Sequence, residues 1–186
     1  MVQALGKVAV DVGALSVDLA SFSAHKVYAP KGAGALYVRR GTALESLVHG
    51  GHQESGYRAG TENVIGAVAF GEACRIVRAE LSENAGRIGS LRQRLHDGIV
   101  EKVDHVRLNG HPSLRVPNTM NVSFDFVEAE SLLLAIDIEG IAVSAGSACS
   151  SGSGEPSHVL RAMGIPPVQS QSAVRFSLGR ETSVDD

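Results

Sequence analysis

Val17-Asp18-Leu19-Ala20-Ser21-Phe22-Ser23-Ala24-His25-Lys26, followed by Pro30-Lys31-Gly32-Ala33-Gly34-Ala35-Leu36-Tyr37-Val38-Arg39, sets an apolar run, a polar turn-rich stretch and a second apolar run side by side. Short, mostly apolar runs of this kind suit strands of a sheet covered on both faces. With a strand-like run at Lys7–Val12, the first forty residues predict three short strands. The segment up to about Leu81 therefore reads as a parallel-sheet piece. Lys26 falls just past the end of its strand, with Ser23 and His25 beside it.

Working outward, the glycine-rich stretch from Gly50 to Gly60 predicts a surface excursion. Thr61-Glu62-Asn63 then opens a helix whose apolar positions include Val64, Val68, Ile76 and Val77 and which runs to about Leu81. A second amphipathic run carries Ile88, Leu91, Leu95 and Ile99 near helical spacing. Met120, Val122, Phe124 and Phe126 alternate with polar residues, the period of a half-buried strand. Ala129 to Ile138 predicts a helix stopped by Gly140, and Ile141–Ser144 a strand. Pro156 and Gly164 bracket a short helix, and Val174, Phe176 and Leu178 mark a last strand. The simplest division places one domain at 1–82 and an α+β domain at 83–186.

The 186 residues carry 17 Lys+Arg against 20 Asp+Glu, a formal net charge of −3. With a pI near 6.2, the chain has no basic footprint for nucleic acid. Its 44% hydrophobic and 20% charged residues fit a soluble globular chain and exclude disorder or a collagen-like repeat. No apolar run reaches the ~18 residues of a membrane span, and the first residues lack the order of a secretory signal. Two cysteines suggest a reducing compartment, so a cytoplasmic setting is expected. The chain opens straight into one strand-like run and stops soon after another, so both ends look cut.

Several residues offer chemistry. A lysine at a strand's end, partly desolvated, serves as a carbonyl nucleophile or base; Lys26 fits that description, although a solvated loop lysine fits the local sequence too. Cys149 lies in Ser144-Ala145-Gly146-Ser147-Ala148-Cys149-Ser150-Ser151-Gly152-Ser153-Gly154, among small residues, where a thiol is placed to react rather than to pack. Cys74, between Ala73 and Ile76, reads as core. Arg175 alternates with Val174 and Phe176, and either forks onto a substrate carboxylate or is solvated. The Gly50–Asn63 segment ends in Thr61 beside a helix start, where backbone amides and a hydroxyl could hold an anion. His49 and His52 lack partners at metal-site spacing, so no metal is expected. Gly32-Ala33-Gly34 precedes a strand rather than a helix, which rejects a dinucleotide fingerprint.

Together, Ser21–Lys26 with Pro30–Arg39, Gly50–Asn63, Ser147-Ala148-Cys149-Ser150 with Glu155-Pro156-Ser157, and Arg175-Phe176-Ser177-Leu178-Gly179-Arg180 closely resemble cysteine desulfurases of the NifS/IscS type. These are class V aminotransferase-family, fold-type I pyridoxal-phosphate enzymes. The resemblance implies an α/β chain made of the last strands of the large-domain mixed sheet plus a small α+β C-terminal domain. It implies that Lys26 carries pyridoxal 5′-phosphate and moves the substrate's Cα proton, that Ser23 and His25 hold the phosphate, and that Gln3 bonds the phenolic oxygen. Thr61 would reach the cofactor phosphate of a partner subunit in a homodimer. Arg175 would bind the carboxylate of L-cysteine, and Cys149 would receive its sulfur as a persulfide for an acceptor such as an iron–sulfur scaffold.

The resemblance also implies absences. The aspartate that pairs with the pyridine nitrogen falls immediately upstream of Met1, and the ring-stacking aromatic and the phosphate loop lie further upstream. A closing helix belongs after Glu181-Thr182-Ser183. The expectation is a C-terminal half with little or no activity unless the other half is supplied. The competing expectations are another class V enzyme, a selenocysteine lyase or an aminotransferase (the latter disfavoured by Cys149), and a non-catalytic fragment such as a sulfur-relay or interaction protein.

Overall fold

Leu19–Ser23 (β1) pairs antiparallel with Gly34–Val38 (β2), placing Ser23 opposite Gly34. A side chain at residue 34 would put its Cβ 2.8 Å from the Phe22 carbonyl oxygen, so the close cross-strand approach requires glycine. Between the strands, Ala24–Val27 forms one 3₁₀ turn, ended by Tyr28 in the left-handed region at φ 67°. The two strands are thus antiparallel neighbours rather than the parallel ones expected. The expected strand at Lys7–Val12 does not form. The amides of Lys7 and Val8 instead bond the Ala4 carbonyl within a local turn. A strand needs a ladder partner, and the described residues offer none there.

The computed structural model describes residues 1–145 and 157–186. These fall into two units, Met1–Glu83 and Asn84–Asp186. In the first, Ala24, Val27 and Phe70 form the buried core, with Leu5, Phe22, Ala33, Cys74 and Val77 packed against it.

One helix, Val64–Lys102 (α1), replaces the two expected. Nothing between Leu81 and Ile88 is a proline, so the hydrogen-bond ladder has no reason to stop. Asn63 caps it, its Oδ1 accepting the Gly66 amide at 3.0 Å. Of the apolar positions named for it, Val77 faces the core and Val64 and Val68 do not. Phe70, Ala73, Cys74 and Val77 pack inward while Val64 and Val68 are exposed, because the core lies on the opposite side of the first turns.

In the second unit, Val106–Asn109 (β3), Thr119–Phe124 (β4) and Ala173–Ser177 (β5) make an antiparallel sheet with β4 central. Met120, Val122 and Val174 are almost fully buried. Ala129–Ile138 (α2) ends before Gly140, which takes φ 80° as helix termination demands. Of the strand expected at 141–144, only an isolated bridge from Ser144 to Arg175 forms. His158–Ala162 (α3) and Pro167–Gln171 (α4) precede β5 and bury Leu160 and Ile165 against Ala173. No helix among the described residues is long and apolar enough to cross a membrane.

Candidate active site

The 3₁₀ turn that follows β1 brings Ser23, His25 and Lys26 to one end of the hairpin. Ser23 Oγ and His25 Nδ1 lie 2.9 Å apart. Whichever atom carries the hydrogen, a donor remains: Ser23 donating leaves Nε2–H free, and Nδ1–H donating leaves the hydroxyl hydrogen free. A protonated imidazole leaves both. The pair therefore keeps at least one hydrogen unused in every tautomer. Val27 and Ala24, buried on the inner side of the turn, hold His25 and Lys26 outward. Lys26 is exposed, so the partial desolvation expected of it is not met.

The half-buried lysine of this unit is Lys7. Its ammonium sits 5.1 Å from the centre of the Tyr28 ring, and burial pushes its pKa below the usual lysine value. Nothing in the local sequence distinguishes Lys7, because the ring that covers it comes from beyond β1. Gln3 is exposed in the N-terminal turns, a segment whose terminal ammonium donates to the Ser21 carbonyl at 2.9 Å. Thr61 is exposed two residues before the Asn63 cap. The Asn63 amide also reaches the Gly32 carbonyl at 3.5 Å, joining the start of α1 to the turn after Lys26.

Arg175 belongs to the second unit. Its backbone bonds Ser144 on one side, N–H to carbonyl at 2.6 Å, and it pairs with Asn121 on the other. Its Nε is buried and has no hydrogen-bond partner among the described residues. A buried guanidinium N–H without an acceptor is uncommon and fits a ligand carboxylate better than a solvated side chain. Cys149 lies outside the described residues, as do Pro156 and the rest of residues 146–156. Cys74 is half-buried and packs on the first core, and burial pushes its thiol pKa up. It is a packing thiol. Among the described residues, no group of three His, Cys, Asp or Glu side chains is placed to hold a metal ion.

The sheet also carries a polar network that strand alternation alone had assigned to solvent. Asn109 Nδ2 donates to Asn121 Oδ1 at 2.7 Å and to Ser123 Oγ at 2.8 Å, and Ser123 Oγ donates to the Gln169 carbonyl at 2.7 Å. Asn109 and Ser123 are buried. Polar residues at every second position are a surface signal only until another element covers that face, and here α4 does.

Residues 1–186 match the family described as aminotransferase class-V. The chain is 49% identical over 185 residues to a cysteine desulfurase of Gluconacetobacter diazotrophicus, covering 100% of this chain and 46% of that protein. It is 51% identical over 187 residues to the cysteine desulfurase IscS of Aeromonas hydrophila, again covering 100% and 46%. Among solved structures, a NifS-like protein superposes with a TM-score of 0.88 at 37% identity, covering 100% of this chain and 47% of that one. The chain thus spans about half the length of the relatives it matches.

Proposed function

We propose, from the premise that this chain belongs to the aminotransferase class-V family and is a close relative of NifS/IscS-type cysteine desulfurases, that it supplies the lysine, thiol and arginine of a pyridoxal-phosphate-dependent cysteine desulfurase. On this reading residues 1–82 are the C-terminal part of the large cofactor-binding domain. Residues 83–186 are the small domain that carries the cysteine loop. The observation that carries the reading is the Ser23–His25 pair, 2.9 Å apart, on the same turn as the exposed Lys26 amine.

The donor set fits pyridoxal phosphate: an amine for its carbonyl, and for its phosphate a neighbouring pair with a hydrogen unused in every tautomer. Ser23 and His25 would hold that phosphate, Gln3 the phenolic oxygen, and Thr61 the phosphate at a partner subunit's site in a homodimer. When bound, the cofactor supplies the electron sink that makes an amino acid's Cα hydrogen acidic. Lys26 Nζ takes that proton and returns it. Arg175 binds the carboxylate of L-cysteine through the buried Nε–H and a neighbouring N–H, fixing the substrate's orientation. Cys149 Sγ, as thiolate, bonds to the substrate sulfur. The Cβ–S electron pair remains on carbon and collects a proton, giving L-alanine and a persulfide on Cys149. That sulfur passes to an acceptor protein, such as an iron–sulfur scaffold, in a reducing cytoplasmic setting.

Because the chain spans about half of its relatives' length, we infer that it turns over slowly or not at all alone. Adding a polypeptide covering the remaining half of such a relative is expected to raise turnover. The test is to incubate the chain with pyridoxal phosphate, reduce with borohydride and map the modified lysine by mass spectrometry. The cofactor should be fixed on Lys26, and L-cysteine should leave a persulfide on Cys149 in the complemented enzyme. Cys149→Ser should remove the persulfide and keep the cofactor on Lys26. Labelling spread evenly over Lys7, Lys26, Lys31 and Lys102 would overturn the assignment.

A further inference from the structure

Four polar residues form one transverse row of the second unit's sheet. Asn109 pairs with Asn121 across β3 and β4, Asn121 with Arg175 across β4 and β5, and Arg175 with Ser144 through the isolated bridge. Directly paired residues of antiparallel strands put their side chains on the same face.

The hydrogen bonds along the row assign the amide orientations, and the assignment leaves Asn109 Oδ1 buried without a partner among the described residues. Ser123 has one hydroxyl hydrogen and gives it to the Gln169 carbonyl, so its oxygen accepts from Asn109. The group of Asn109 that faces Ser123 must therefore be its NH₂, and the same NH₂ donates to Asn121. Asn121 thus turns its carbonyl toward β3. Because the amide is planar, its own NH₂ is held away from Asn109, and the next residue of the row beyond Asn121 is Arg175. No described residue accepts from that NH₂, and the Arg175 Nε–H is buried without a partner. Two groups that only donate cannot bond each other. They can share one acceptor, and an anion suits both.

We propose that Asn121 is a second substrate-binding residue, its side-chain NH₂ and the Arg175 guanidinium together holding the carboxylate of an α-amino acid. This rests on the reading of Arg175 as a carboxylate site and adds to it. The Asn109–Ser123–Gln169 chain serves as the buried support that keeps the Asn121 NH₂ facing the ligand. A ligand whose carboxylate is missing loses both partners at once, which makes the pair a filter for amino acids over amines.

The test uses the full chain, with L-alanine as the carboxylate probe and ethylamine as its counterpart without one. Nitrogen-15 NMR follows the Arg175 Nε–H and Asn121 Nδ2 signals during titration and yields the affinity. L-Alanine should shift both signals, and ethylamine neither. Asn121→Asp keeps the size but turns an oxygen toward the anion, and should weaken L-alanine binding about tenfold or more. Asn121→Ala, needed should the aspartate variant not fold, should weaken it several-fold. L-Alanine shifting Arg175 alone, with both variants binding as the parent does, overturns the role of Asn121 and leaves the Arg175 reading standing. L-Alanine shifting neither signal, with Arg175→Ala unaltered in affinity, overturns both.

Discussion

The Oδ1 atom of Asn63 accepts the backbone N–H of Gly66 at 3.0 Å. A Cβ at residue 66 would come within 2.5 Å of the Asn63 amide nitrogen and 3.0 Å of the Ala33 Cβ. The cap, the first turn of α1 and the turn after Lys26 therefore meet in one tight contact. Asn63→Ala should destabilise the first unit by about 1 kcal/mol, the usual worth of an N-cap, and Asn63→Asp should recover most of it. Gly66→Val should cost more than the cap, since both neighbours must move. Urea unfolding followed by circular dichroism measures all three, and an unchanged midpoint in Gly66→Val would contradict the packing described.

Ser23→Ala removes one member of the pair that keeps a hydrogen unused beside Lys26. Pyridoxal-phosphate affinity, followed by absorbance in the complemented enzyme, should fall about tenfold for Ser23→Ala and again for His25→Ala. The two losses should not add in the double variant, because each residue sets the other's free hydrogen. Strict additivity would show that the pair does not act together.

Ser123 is fully buried and joins Asn109 to the Gln169 carbonyl. Ser123→Ala leaves a buried Asn109 amide hydrogen without its acceptor, while the Gln169 carbonyl keeps the Ser172 hydroxyl, so the second unit should lose roughly 1–3 kcal/mol. Hydrogen exchange of the β4 amides is the direct measurement. Exchange rates equal to those of the parent chain would show that water replaces the hydroxyl at no cost.

Lys7 gives the first unit a pH dependence of definite sign. Burial lowers its folded pKa, whereas the unfolded chain keeps a value of about 10.4. Between those two values the unfolded state binds more protons, so stability rises with pH across that window. Below it, the half-buried ammonium is a standing penalty, offset in part by the Tyr28 ring. Lys7→Met should abolish the rise and leave stability at neutral pH equal or higher. A fall in stability with rising pH across that window in the parent chain would contradict the burial of Lys7.

Cys74 tests the packing of a second partly buried titrating group of the first unit. Its thiol pKa is raised by burial, so less thiolate is present at pH 7.5 than in the unfolded chain. Alkylation by iodoacetamide should be slow in the folded protein and speed up in urea. Modification at the unfolded rate would place Cys74 at the surface.

What could be read from the sequence was local. The adjacency of Ser23, His25 and Lys26 follows from one turn after one apolar run. The ends of α2 follow from its apolar spacing and Gly140, and short-range pattern locates the strands at Leu19–Ser23, Gly34–Val38 and Thr119–Phe124. The alternation expected to extend the last of these to Phe126 ends at Phe124, with Phe126 exposed at φ 67°. Each depends on residues a few positions apart, whose conformational preferences act before any distant contact forms. Only tertiary structure decided the rest. Lys7–Val12 carries a strand's composition yet forms turns, because a strand exists only where a partner completes its ladder. The apolar residues of α1 lie on two faces, and only the position of the core decides that Cys74 and Val77 turn inward while Val64 and Val68 stay exposed. Which lysine is half-buried, and which asparagine stands beside Arg175, depend on a ring and a strand register contributed from elsewhere in the chain. Burial and register belong to pairs of surfaces, and a single run of residues carries only one member of each pair.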